Sequence, residues 1–219
     1  YKGPFLFIDD YWTIKAKYDP EILLIRELIR KIAKETNMLL GEWEAFQLYL
    51  AVKKTSKIEG AIAEVGVYRG ASAKLISEAN KTHKKLHLFD TFEGLPELHQ
   101  SDDPKQFHKG QFLASYDSVK DYLKAYPNIQ LYKGLFPSTS EPIQNETFSF
   151  VHLDVDLYEA TLASLQFFYP RLNKGGMLIS HDYVWAPGVR RAFNEFFTDK
   201  PEPILEIDFL GSQCLIVKM

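Results

Sequence analysis

An α/β fold built on one mostly parallel sheet is the architecture this sequence predicts. From Gly60 onward, short apolar runs alternate with longer helical ones, the pattern of strands linked by covering helices. The last two runs break the pattern: only Gly211 and Ser212 separate them, which is the spacing of an antiparallel hairpin. A length of 219 residues with 46% hydrophobic content suits one sizeable core rather than two separate domains.

The elements follow in order. An aromatic opening segment with Phe5, Phe7, Tyr11 and Trp12 is placed either to cap a site or to contact a second copy. After Asp19-Pro20, residues Ile22, Ile25, Leu28, Ile29 and Ile32 recur at helical spacing, and a second helical stretch, EWEAFQLYLAVKKT, leads to Gly60. Strands are expected at 61–67, 85–91, 129–133, 148–154 and 176–182, with a closing pair at 204–210 and 213–219. Helices are expected at about 71–80, 115–125, 157–172 and 188–198. Right-handed crossovers between parallel strands put such helices on both faces of the sheet.

A formal charge of −3 leaves no electrostatic footprint for nucleic acid or an anionic membrane, so partners have to be argued from sites. The lone cysteine, Cys214, excludes an intrachain disulfide and reads as a buried strand thiol beside Leu215, Ile216 and Val217. Asp9 and Asp10 stand where a signal peptide needs an apolar stretch, and no run of about 18 apolar residues occurs, so a cytoplasmic protein is expected. The apolar surplus of the N-terminal helix and opening segment predicts at least a dimer.

Open parallel sheets bind ligands beyond the carboxyl ends of their strands, and the unusual residues gather there. The first strand ends in AEVGVYRGAS, where Gly66 and Gly70 permit a tight turn before a helix whose N–H groups can hold an anion. As a dinucleotide fingerprint it fails, because Tyr68 occupies the place of the middle glycine, which weighs against a nicotinamide-dependent oxidoreductase. Asp90 follows about twenty residues after the turn, the spacing at which an acid accepts ribose hydroxyls. Gly134, Leu135 and Phe136 after the third strand are placed to line a base. Asp154 and Asp156 share a side if the fourth strand runs that far, and His181 and Asp182 end the fifth close by. Carboxylates with an imidazole can hold a divalent cation with positions left open. Each also has a plainer role: Asp156 with Glu159 as a helix capping box, His181 as a buried imidazole, Asp182 as a turn residue.

Taken together, AEVGVYRGASA, LFDTFEGLP, KGLFP, HLDVDLYEAT, LNKGGMLISHDY and the terminal hairpin resemble the macrocin O-methyltransferase-like group of class I methyltransferases, which use S-adenosylmethionine (SAM). The likeness runs from about Met38 to the C-terminus, and EVGVYRGAS also resembles, more distantly, the first motif of catechol O-methyltransferases. It implies a Rossmann-like, seven-stranded sheet with an antiparallel last strand, residues 60–219 as the methyltransferase core, and residues 1–59 as an aromatic and helical cap or oligomer contact. By resemblance Glu64, Gly66, Tyr68 and Gly70 surround the methionine part of SAM with Ser72 near its carboxylate, Asp90 takes the ribose, and Gly134 to Phe136 lie by the adenine. A metal, usually Mg²⁺, would sit on Asp154, His181 and Asp182, with Asp156 as general base for a small-molecule hydroxyl, on a sugar or a related natural product. The family pattern is Asp-Asp-Tyr where this chain reads His181-Asp182-Tyr183, and an imidazole suits Mn²⁺, Fe²⁺ or Zn²⁺ better than Mg²⁺. A SAM- or nucleoside-binding module without catalysis is the remaining alternative. The long polar connection 92–114 is expected to act as a lid, with His99 and His108 either reaching the acceptor or simply solvated.

Overall fold

The computed structural model describes residues 8–207 and 211–219, with side chains from Trp12 onward. Three helices come first: α1 (Ile8–Ala16), α2 (Glu21–Thr36) and α3 (Glu42–Lys54). The sheet follows in alternation with helices: β1 (Ala61–Val65), α4 (Ala71–Ala79), β2 (Leu86–Asp90), α5 (Tyr116–Tyr122), β3 (Ile129–Lys133), β4 (Phe148–Leu153), α6 (Tyr158–Phe168), β5 (Leu172–Ser180) and α7 (Pro187–Phe196). The pair β6 (Leu205–Glu206) and β7 (Cys214–Val217) closes the chain. The strand order is β3-β2-β1-β4-β5-β7-β6. The first five strands are parallel to one another, and β7 runs antiparallel to both β5 and β6.

Side-chain alternation divides the core into two layers. Ile62, Leu86, Leu88 and Phe150 pack with α2, α3 and α4, whereas Ala63, Val65, Phe89, Val151 and Leu153 pack with α6 and α7. A register shift in β4 between Phe148 and Phe150 sends those two phenylalanines to opposite layers although they are two residues apart. The helical stripe Ile22, Ile25, Ile29 and Ile32 is buried inside the chain. Trp12 is also buried, edge-on to Trp43 and Phe46 with ring centroids 5.7 and 4.8 Å away. Much of the apolar surplus behind the dimer expectation is therefore consumed intramolecularly, leaving Ile14, Tyr18, Leu23 and Leu24 exposed on this layer. Phe5, Phe7 and the Tyr11 side chain lie outside the described residues.

Several boundaries differ from the sequence reading for local reasons. Helix α6 stops at Phe168 rather than 172 because Pro170 follows, and Tyr169–Arg171 tightens into a 3₁₀ turn. Strand β5 starts at Leu172 rather than 176: its register against β4 jumps from Leu172 to Met177, absorbing Gly175 and Gly176 inside the strand. Only Leu205 and Glu206 of the sixth strand pair with β7, and residues 208–210 of that expected strand lie outside the described residues. Cys214 is fully buried as read, and burial pushes its thiol pKa up. Among the described residues no helix is long and apolar enough to cross a membrane.

Candidate active site

The carboxyl ends of β1, β2, β3, β4 and β5 open into one cleft of about 360 Å³, a volume suited to a small ligand. Its walls include Gly66, Asp90, Gly134, Leu135, Phe136, Asp154, Asp156, His181 and Asp182. A smaller hollow of about 40 Å³, lined by Tyr68 and Ser72, shares Leu39 and Asp154 with it.

The glycine turn is built around backbone proximity. Gly66 has φ +89°, and a Cβ placed there would lie 1.7 Å from the carbonyl oxygen of Asp154. Hence the glycine turn and Asp154 are locked together through main chain. Gly66→Ala should cost at least about 3 kcal/mol, combining a left-handed backbone with a clash against main chain that has no rotamer to give. An unchanged denaturation midpoint would contradict that contact. Gly70, at φ +83°, opens α4 by adopting the left-handed conformation at the N-cap.

Asp90 braces the same turn. Its Oδ2 accepts from the amides of Val67 and Tyr68, both at 2.8 Å, and its Oδ1 accepts from Phe92 N–H at 2.7 Å. A carboxylate offers about four acceptor positions, so these three bonds leave room for a ligand hydroxyl. Tyr68, with φ +49°, packs its ring edge-on to Phe112 at 5.9 Å. The antiparallel β7 inserted beside β5 is not the strand order of a dinucleotide-binding sheet.

Glu64 belongs to β1 itself, just before the turn. It is fully buried under the turn, does not line the cleft, and its Oε1 lies 2.8 Å from His152 Nδ1 on the neighbouring β4. Burial raises its pKa, against the opposing pull of His152 and Ser72. Glu64 Oε2 and His152 Nε2 have no hydrogen-bond partner, so the pair retains an unused acceptor and an unused ring nitrogen.

Strand β4 ends at Leu153, so Asp154 and Asp156 are not alternate residues of a strand, as the sequence suggested. The chain instead turns, with Asp156 at φ +61°, and Asp182 after β5 is also left-handed at φ +59°. Two carboxylates are thus held in a backbone region that non-glycine residues seldom occupy, a form of strain found at functional sites. The capping role for Asp156 is not what the fold uses. Helix α6 begins at Tyr158 after Leu157 as N-cap, with no side-chain cap from that position, and the Tyr158 N–H donates to Asp102 Oδ1 at 2.8 Å. Burial, with Asp182 and Asp154 alongside, raises the Asp156 pKa well above the ordinary carboxylate range.

Asp154, His181 and Asp182 converge, one ligand-type atom from each lying within 4.8 Å of the others. His181 Nδ1 is 3.3 Å from Asp154 and 2.9 Å from Asp182, yet forms an aligned hydrogen bond with neither. Burial alone would lower the His181 pKa, but Asp154, Asp182 and Glu44 outweigh it and hold it well above the usual imidazole value. For Asp154, burial opposes ionisation, but the attraction of His181 wins and the pKa is lowered.

The connection 92–114 does lie over the cleft, contributing Gly94, Leu95, Pro96, Phe107 and Phe112 to its wall. Its two histidines do not. His99 stacks on Tyr158 with ring centroids 4.6 Å apart, its ring nitrogen 3.0 Å from Ser101 Oγ, and His108 is exposed. Mid-loop, buried Asp102 binds His99 N–H as well as Tyr158 N–H, and a Cβ at Gly188 of α7 would lie 2.0 Å from its Oδ1.

Glu44 went unread in the sequence. It comes from α3, and its Oε2 lies 3.2 Å from His181 Nε2. The only local signal was Gly41 three residues earlier, a capping-box spacing that gives Glu44 a sufficient structural role by itself.

The strand order, antiparallel seventh strand and cleft at the carboxyl ends define the fold of class I methyltransferases. The chain belongs to the macrocin-O-methyltransferase (TylF) family, whose model matches residues 40–213. It is 28% identical over 170 residues to the 8-demethyl-8-(2,3-dimethoxy-alpha-L-rhamnosyl)-tetracenomycin-C 4'-O-methyltransferase of Streptomyces olivaceus, covering 70% of this chain and 65% of that protein. To the demethyldecarbamoylnovobiocin O-methyltransferase of Streptomyces niveus it is 24% identical, covering 64% of this chain and 59% of the relative. The chain therefore spans somewhat less than two thirds of the length of these curated relatives. Among solved structures, the O-methyltransferase NovP superposes with a TM-score of 0.72 at 21% identity, covering 83% of this chain and 82% of the other.

Proposed function

We propose that this chain is a SAM-dependent O-methyltransferase that methylates a sugar hydroxyl of a glycosylated small molecule, with a divalent cation held by Asp154, His181 and Asp182. The observation that carries the reading is the shared wall. The glycine turn that would hold the methionine end of SAM and the acidic cluster that would meet the acceptor flank one cleft, joined by the contact of Gly66 with the Asp154 carbonyl. Membership of the macrocin-O-methyltransferase family and a relative named for methylating a rhamnosyl group support the choice of acceptor.

The sulfonium of SAM is already a reactive methyl donor. What remains is to place the acceptor oxygen in line with it and to remove a proton from a weakly acidic hydroxyl, and positioning alone can contribute on the order of 7–11 kcal/mol. The donor set fits a divalent ion, because His181 Nδ1 is buried without an aligned partner while two carboxylates face it at 2.9 and 3.3 Å. When bound, such an ion would supply Lewis-acid stabilisation of the developing alkoxide. Asp156 takes the hydroxyl proton as the oxygen–methyl bond forms and the carbon–sulfur bond breaks. Its carboxyl lines the same cleft as Asp154 and Asp182, and burial beside those two raises its affinity for a proton. Leu95, Pro96, Phe107 and Phe112 offer an apolar wall to the body of the acceptor and keep water from the reacting oxygen.

The direct test is methyl transfer from labelled SAM to a panel of rhamnosides and nucleotide-linked deoxysugars, read by mass spectrometry. Methylation of a sugar oxygen is the expected result, and transfer only to phenols or carboxylates would overturn the acceptor class. Asp90→Ala should weaken S-adenosylhomocysteine binding by about 1.5–3 kcal/mol, the loss expected for bonds to a charged group. It should also lower Tm, since three backbone amides lose their acceptor. Calorimetry showing equal affinity would remove Asp90 from the ribose.

A further inference from the structure

Glu44 lies outside the cleft, on a helix that precedes the sheet, yet apart from the cap of its own helix its contacts all serve the end of β5 or the turn that holds it. Oε1 accepts from Ser212 N–H at 2.8 Å and Ser212 Oγ–H at 3.2 Å, and Oε2 accepts from Gly41 N–H at 2.9 Å and faces His181 Nε2 at 3.2 Å. Ser212 Oγ in turn accepts from the backbone N–H of Asp182 at 3.0 Å. A single carboxylate therefore holds one member of the acidic cluster by its ring and the next by its main chain.

We propose that Glu44 is a positioning residue that sets His181 with its proton on Nε2, so that Nδ1 is the nitrogen presented to a divalent cation between Asp154 and Asp182. The inference rests on the metal-assisted reading above and names the ring atom and the outer partner that make it work. A carboxylate is an acceptor only, so the imidazole nitrogen facing it carries the hydrogen. The opposite nitrogen faces two carboxylates at 2.9 and 3.3 Å without an aligned hydrogen bond, and a cation bound there would take the place of its proton and receive its lone pair. Ligating histidines ordinarily donate their second N–H to such a partner, which fixes ring orientation and basicity. An aspartate at position 181 would have no N–H to offer Glu44. The two residues should therefore act as a pair.

The test is titration of metal-free protein with Mn²⁺, followed by electron paramagnetic resonance, in wild type, Glu44→Ala, His181→Asp and the double variant. Glu44→Ala should weaken Mn²⁺ by 10- to 100-fold in the wild-type background, the usual effect of removing an outer partner. In the His181→Asp background the loss should be at least tenfold smaller, a difference that a merely structural role for Glu44 would not produce. Equal losses in both backgrounds, or no loss in the first, would overturn the assignment. Should Glu44→Ala fail to fold, zinc-loaded wild type with ¹⁵N-labelled histidine decides directly: a protonated Nε2 on His181 supports the pairing, and a protonated Nδ1 overturns it. If wild type binds neither Mn²⁺ nor Zn²⁺, the metal reading itself falls and the inference falls with it. That outcome is distinct from metal binding that ignores Glu44.

Discussion

Stripping divalent metal with a chelator should abolish methyl transfer while changing S-adenosylhomocysteine affinity by less than about threefold. The asymmetry follows from geometry. The residues proposed to hold the cofactor sit on the turns after β1, β2 and β3, and of the proposed metal-holding residues Asp154 alone borders both the cleft and the hollow beside the glycine turn. Without the ion a sugar hydroxyl keeps a pKa far above neutrality, and positioning cannot compensate for a missing charge at the reacting oxygen. Mn²⁺ should restore turnover at least as well as Mg²⁺, because an imidazole ligand favours it, and His181→Asp should shift the preference back towards Mg²⁺. Full activity after exhaustive chelation, with no metal found by elemental analysis, would remove the ion from the mechanism.

Asp156→Asn should lower kcat by on the order of 10²–10⁴, the range for losing a positioned base, without loss of Mn²⁺ binding. Helix α6 should survive intact, since its first amide is held by Asp102 and not by Asp156. The wild-type rate should rise with pH as Asp156 gives up its proton, and the variant should lose that limb. Stability should move the other way. A carboxyl whose pKa is raised by burial and by Asp182 and Asp154 binds more protons folded than unfolded, so it favours the folded state at low pH. That contribution is lost as pH rises from the ordinary carboxylate value through the raised one. Metal-free Asp156→Asn should therefore melt higher than metal-free wild type at neutral pH, and a lower Tm would show that the aspartate is structural. A variant that is slower yet more stable fits a group retained for chemistry.

Strand and helix periodicity carried most of the fold, because burial on one or both faces imposes it residue by residue. The errors fell where a proline, a register shift or an edge intervened: at Pro170, between Leu172 and Met177, and in the two-residue β6. Of the site, the residues at strand ends were legible because the topology sends every carboxyl end to one side. Asp154, His181 and Asp182 do meet, and Asp90 does sit against the glycine turn. Glu64 was read as part of the turn around the methionine end of SAM, and its buried pairing with His152 across the sheet was not foreseen. Glu44 and Asp102 could not be read at all. Their partners are 137 and 56 residues away, and nothing in local spacing distinguishes them from a capping residue and a loop carboxylate.

Asp102 also governs how the segment above the cleft can change over evolutionary time. Fastened at its midpoint to the start of α6 and wedged against Gly188, the connection also doubles back on itself, Leu95 N–H donating to the Gln111 carbonyl at 2.8 Å and Gly110 N–H to the Leu95 carbonyl at 2.9 Å. One half of it brings Leu95 and Pro96 to the cleft wall, the other Phe107 and Phe112. An insertion or deletion in either half therefore disturbs its neighbour, and this wall of the cleft is free to vary only as one unit, pinned at both its waist and its midpoint.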